Sequence, residues 1–144
     1  MAKIYGSTFA AAKAGTLPQV SPDGRLVGAK QRRTMERFTL AAQPVADKLF
    51  LGTLPAGACF AGVRFTSSVS LGAATLSVGS EANPTKYRDA GTFTAVDVPT
   101  LAGKASAIGQ SPLDGPEDVY ATVAAAALPG AGTFTTELFF TTSA

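Results

Sequence analysis

Thr133-Phe134-Thr135-Thr136-Glu137-Leu138-Phe139-Phe140-Thr141 decides the fold. In an extended chain successive side chains point to opposite faces, so Phe134, Thr136, Leu138 and Phe140 share one face while Thr135, Glu137 and Phe139 share the other. Threonine and aromatic residues, which fit a pleated half-buried surface, fill most of the stretch. It reads as a strand with one face in a core, preceded by a turn at Pro129-Gly130.

Working back from it, the same period of two recurs. Val119, Ala121, Val123 and Ala125 mark a longer strand. Leu76 and Val78 mark a short one, and Phe93–Val98 is a weaker candidate. Cys59, Ala61, Val63 and Phe65 alternate with Phe60, Gly62 and Arg64, and Lys48–Leu51 is a short apolar run stopped by Gly52 and Pro55. From Met35 onward, Phe38, Leu40 and Ala42 alternate with Arg37, Thr39 and Ala41. At least six short strands separated by Gly/Pro turns predict an all-β fold, an antiparallel β-sandwich or jelly roll. Its expected core includes Phe38, Leu40, Val63, Phe65, Leu76, Val78, Val123, Leu138 and Phe140. Helix is expected to be scarce: no apolar stripe at helical spacing persists for three turns, and the run Ala124–Ala127 only imitates one by composition.

Residues 1–34 lack this periodicity and read as a basic N-terminal arm, with 35–144 as the sandwich body. Within the arm, Ser21-Pro22-Asp23-Gly24 is a turn signal able to close a short hairpin, and Ala10–Lys13 has the composition of a single helical turn. Charge follows the same division. Residues 1–37 carry seven basic and two acidic side chains; the remainder carries five and eight, leaving a formal total of +2. Lys30, Arg32, Arg33 and Arg37 form the densest cationic cluster, suited to an acidic protein surface. Without interleaved aromatics or a helix to enter a groove, nucleic acid is not the expected partner.

The sequence offers little chemistry. There is no histidine, which removes the commonest general base and zinc ligand. The single cysteine, Cys59, lies in an apolar alternating strand and reads as a small core residue. Asp114, Glu117 and Asp118 lie around a Gly-Pro turn; a solvated turn is the simpler reading, and a bound hard cation such as calcium the alternative. Gly130-Ala131-Gly132 enters a strand and reads as a hairpin turn, not a phosphate cradle. Neither an enzyme nor a cofactor is expected. No apolar run is long enough to span a bilayer and no secretory leader is evident, so no membrane role is expected either. Charged residues are only 15% of the chain, against about 25% in ordinary soluble domains, so the polar surface must come from Thr, Ser and Gly.

Several stretches resemble a known group. Leu51-Gly52-Thr53-Leu54-Pro55-Ala56-Gly57-Ala58, Val63-Arg64-Phe65-Thr66, Leu71–Gly79, Ala82-Asn83-Pro84-Thr85-Lys86-Tyr87 and Ala124–Thr133 are similar to small β-rich virion proteins of tailed bacteriophages. The resemblance covers roughly residues 35–141 and lies in texture, not in a diagnostic motif. It implies a capsid decoration (cement) protein on the outer face of the virion, bound to the major capsid protein and to its own copies as a homo-oligomer, often a trimer. Neck and tail proteins share this texture. A receptor- or glycan-binding sandwich of a head or tail fibre is the alternative; the lack of Trp and the scatter of Tyr5, Tyr87 and Tyr120 along the sequence weigh against it.

Overall fold

The computed structural model describes Ala2 and residues 29–108 and 111–142. The Ser21–Gly24 turn and the Ala10–Lys13 segment lie outside the described residues. Eight strands follow one another: β1 (Lys30–Thr39), β2 (Lys48–Leu54), β3 (Cys59–Ser67), β4 (Thr75–Gly79), β5 (Arg88–Thr92), β6 (Thr100–Leu101), β7 (Glu117–Ala124) and β8 (Thr133–Thr142). A single 3₁₀ turn, Ala105–Ala107, is the helical structure among the described residues.

The strands form two antiparallel four-stranded sheets, ordered β1-β8-β3-β6 and β2-β7-β4-β5. The pairing is nested. First pairs with last, β2 with β7, β3 with β6 and β4 with β5, as in a long hairpin, and the additional pairs β3–β8 and β4–β7 roll that hairpin into two layers. This is the jelly-roll form of the sandwich expected from the sequence.

The core lies between the sheets. From β8 it receives Phe134, Thr136, Leu138 and Phe140, all buried, in the predicted alternation. Leu40, Val63, Phe65, Leu76, Val78 and Val123 are buried with them, while Phe38 is partly buried at the margin. Phe65, Phe93 and Phe134 form a ring cluster with centroids 5.1 to 6.2 Å apart. Full burial of one such side chain is worth about 1.5–3 kcal/mol, so this cluster outweighs any exposed ion pair in holding the layers together.

Four expectations shift. β1 starts at Lys30, so Lys30–Thr34 of the expected arm belong to the first sheet. β1 ends at Thr39, and Ala42 has a positive φ of 55°, so the alternation through Ala42 runs past the strand. Phe93–Val98 is not a strand: Phe93 plugs the core just after β5, and Val96 and Val98 stand exposed around Asp97 at φ 54°. The strands of that region are instead the short β5 and β6. Phe60 is buried, because a bulge between Phe60 and Gly62 inserts a residue and turns Phe60 to the same side as Val63.

β1 closes one side of the roll over Gly52. A β-carbon there would lie 2.7 Å from the Thr34 methyl group, and Gly52 has a φ of 146° in the bulge of β2. Only glycine meets both constraints without strain.

Among the described residues the buried Thr136 hydroxyl has no hydrogen-bond partner. Thr136→Val keeps the shape and removes the desolvated hydroxyl, so it should stabilise the protein by about 1 kcal/mol. Thermal unfolding followed by circular dichroism should show a rise of roughly 4 °C; a lower melting temperature would mean that the hydroxyl is satisfied in solution.

Candidate functional site

Directly opposed residues of paired strands share a face, so the register of β1 against β8 sorts the basic cluster. Arg33 and Arg37 sit opposite Phe139 and Thr135, on the outer face of the first sheet with Met35 between them. Lys30 and Arg32 sit opposite Thr142 and Phe140, on the other side of the strand. The four cations therefore do not form one patch. All four are exposed, because β1 is an edge strand and overhangs the core.

The outer face holds residues that the cationic run alone does not signal. Glu137 of β8 stands between Arg33, 3.5 Å away, and Arg64 of β3, with which it is also ion-paired. Arg64 lies 5.4 Å from the centre of the Phe139 ring. Met35 and Leu101 add exposed apolar side chains, Leu101 opposite Arg64 in the β3–β6 register. Arg37, Lys30 and Arg32 have no ion-pair partner among the described residues. The face thus carries exposed cations along β1, the Arg33–Glu137–Arg64 ion pairs across its middle, and one exposed apolar side chain on each edge strand, Met35 on β1 and Leu101 on β6. Its outer-face members Thr135, Glu137 and Phe139 were legible from the alternation of β8; their cross-strand partners were not.

The acidic segment resolves into separate roles. Glu117 and Asp118 open β7 instead of lying in a turn, and they point to opposite sides of it. Glu117 accepts hydrogen bonds from the Lys86 ammonium at 2.7 Å and from the buried Tyr87 hydroxyl. Asp118 accepts from the Thr53 hydroxyl at 2.6 Å. No group of three or more acidic, His or Cys side chains is placed to hold a metal ion among the described residues.

Next to this segment the loop after β4 folds back on itself: Asn83 accepts through its carbonyl from the Ser80 and Lys86 amides, and its own amide donates to the Ser80 hydroxyl. A β-carbon on Gly79 would fall within 2.1 Å of the Asn83 carbonyl oxygen, so glycine alone admits the loop. An open cavity of about 350 Å3 results, walled by Ser80, Glu81, Pro116, Asp118 and Tyr120. On the outer face of the second sheet, Tyr120 meets Phe50 with ring centroids 5.6 Å apart. Tyr120, scattered from the other tyrosines in sequence, thus gains an aromatic partner from β2.

Burial, then the hydrogen bond to Glu117 and the charge of Glu117, push the Tyr87 hydroxyl well above its ordinary range. Because the folded value lies above the unfolded one of about 10, this group's contribution is fully present below about pH 10 and is lost as pH rises beyond it. Stability measured by urea unfolding should therefore fall steeply above pH 10. Tyr87→Phe should be less stable near neutrality by about 2 kcal/mol, from the lost bond to a carboxylate, yet show a shallower alkaline decline. An equally steep decline in the variant would exclude Tyr87 as its source.

The jelly roll described here is shared with chains of known phage capsids. The protein is similar in structure to a chain of the capsid of Ralstonia phage GP4, with a TM-score of 0.60 and 23% identity over 79% of this chain and 84% of that one. It is also similar to a chain of the Cyanophage Pam1 capsid asymmetric unit, with a TM-score of 0.62 and 20% identity over 88% and 94%. A third is a chain of the acid-stable capsid of Helicobacter pylori bacteriophage KHP30, with a TM-score of 0.57 and 18% identity over 79% and 89%. Coverage is high in both directions, so each matched chain is about as long as this one. No family model matches the chain, and no curated protein matches its sequence. The fold of this chain is one that chains of phage capsids adopt.

Proposed function

We propose that this protein is a non-enzymatic structural component of a phage virion that docks on the outer face of the assembled head and reinforces it. The observation that carries this reading is the likeness, over most of both chains, to three small chains from phage capsids. Binding the assembled lattice more strongly than free subunits is enough to stabilise it by mass action, and many weak copies suffice when they act together.

On this reading β1 and the outer face of the first sheet make the contact. Arg33 and Arg37 meet acidic groups of the major capsid protein, with Lys30 and Arg32 reinforcing the edge, while Met35 and Leu101 supply apolar contact. Exposed cations steer association and fix orientation more than they add affinity, so the contact should weaken as salt rises. Copies of the protein pack against one another on the lattice as a homo-oligomer.

Deleting residues 1–33 would remove the first four residues of β1 with the arm, so charge reversal is the cleaner test. In a pelleting assay against heads that lack their small surface protein, the full chain should co-sediment at low salt. The double variant Arg33→Glu, Arg37→Glu should bind at least tenfold more weakly with an unchanged melting temperature. Co-sedimentation equal to that of the unaltered protein would remove β1 from the contact, and a full chain that ignores heads would refute the docking role.

A further inference from the structure

The outer face of the second sheet carries a different kind of surface. Phe50 is 44% exposed, an unusual position for a large apolar ring on a strand flanked by Lys48 and Thr53. Its ring and that of Tyr120 meet at 58°, forming an aromatic corner that continues through Tyr120 into the open cavity. Besides Tyr120 the cavity is lined by the polar residues Ser80, Glu81, Glu117 and Asp118. An apolar ring face beside a few directed polar groups is the composition of a small-ligand site.

The charges decide what such a ligand can be. Lys48 bridges Glu81 at 2.8 Å and lies 5.9 Å from the Tyr120 ring centre, so the place a cation would take above that ring is already filled from within the protein. Lys86 balances Glu117 in the same way. Asp118 is held by the Thr53 hydroxyl and has no cationic partner among the described residues, which leaves the cavity lining with an excess negative charge that disfavours an anionic ligand. A neutral ligand with one apolar face and adjacent hydroxyl groups meets every condition. Its C–H face lies on the exposed Phe50 ring, which Tyr120 backs, and its hydroxyls donate to carboxylate oxygens and accept from Ser80 and Tyr120.

We infer that the Phe50–Tyr120 corner and the adjoining Ser80–Asp118 cavity form a binding site for neutral pyranose sugars and discriminate against acidic ones. The site needs no partner chain, since β2, β7 and the loop after β4 supply all its groups. It lies on the sheet opposite β1, so a protein held to a surface through the first sheet presents this face away from it. Lys48–Glu81 is an exposed pair that adds little to the fold, and its position beside Tyr120 places it at the rim of the cavity.

The test is a glycan array carrying neutral hexose- and N-acetylhexosamine-terminated glycans beside their sialylated forms, probed with the full chain. Binding should appear on neutral glycans and be at least tenfold weaker on the sialylated ones. Phe50→Ala and Tyr120→Ala should each lower it at least tenfold while melting as cooperatively as the unaltered protein. Asp118→Asn, which keeps an acceptor for the Thr53 hydroxyl, should raise the sialylated signal relative to the neutral one, a change no loss of fold produces. Absence of binding to every neutral glycan would overturn the inference. So would neutral binding that survives both ring deletions, and a Phe50→Ala variant that loses self-association while no glycan binds would assign the face to a protein contact instead.

Discussion

The structure depends on the place of β8. It runs antiparallel between β1 and β3 and bonds to both, so Thr133–Thr142 becomes an interior strand of the first sheet. Without it β1 has no neighbour among the described strands, and β3 keeps only a two-residue partner in β6. The nested pairing makes this unavoidable: joining first strand to last is what rolls the chain into two layers. Such pairings close long loops before they return contact energy, so the fold belongs with slowly folding β topologies, and its long-range contacts form late.

That constraint also explains why charge and chemistry end up on opposite sheets. Rolling the hairpin sends β1, β3, β6 and β8 to one layer and β2, β4, β5 and β7 to the other. The basic residues near the start of the sequence travel with β1 to the first sheet; Glu117 and Asp118, which begin β7, travel to the second. A polarity that looks linear in the sequence, basic then mildly acidic, is divided between the two sheets. The two proposed activities, docking and sugar binding, therefore need not compete for surface.

Strand existence was legible where burial imposes a strict alternation, as in β8, β7 and the body of β3. It failed where a strand's role is only to cap. β5, Arg88-Asp89-Ala90-Gly91-Thr92, contributes little to the core and reads as a loop. It is held in place by the Arg88 guanidinium, which donates to the carbonyls of Leu76, Thr92 and Ala102, a long-range arrangement with no local signature. The apolar residues just beyond it misled the reading toward Phe93–Val98, where one buried phenylalanine and two exposed valines imitate a strand. Bulges were invisible for a related reason: at Phe60 the extra residue reverses the face, and only the cross-strand register reveals it. Of the functional surfaces, the cations of β1 were legible as a composition, but their division between two faces was not. The meeting of Phe50 and Tyr120, seventy residues apart in the sequence, follows from the β2–β7 register and from nothing local.

Edges complete the physical account. An open sandwich offers unpaired strand edges to any passing chain, and the structure treats its four edges unequally. β6 has two residues and β5 has five, both too short to template an extended partner. β2 is kinked by its bulge at Gly52, where β1 crosses it. β1 alone is long and regular, and it alone carries four cations against one carboxylate. That charge opposes pairing of β1 with another copy of itself, since like charges would be brought face to face along ten residues. The same charge favours an acidic neighbour. On the docking reading, a strand that resists its own kind and accepts the opposite sign is protected in the free protein and selective on a lattice. These two properties then have a single cause: the placement of Lys30, Arg32, Arg33 and Arg37 on the longest exposed edge of the roll.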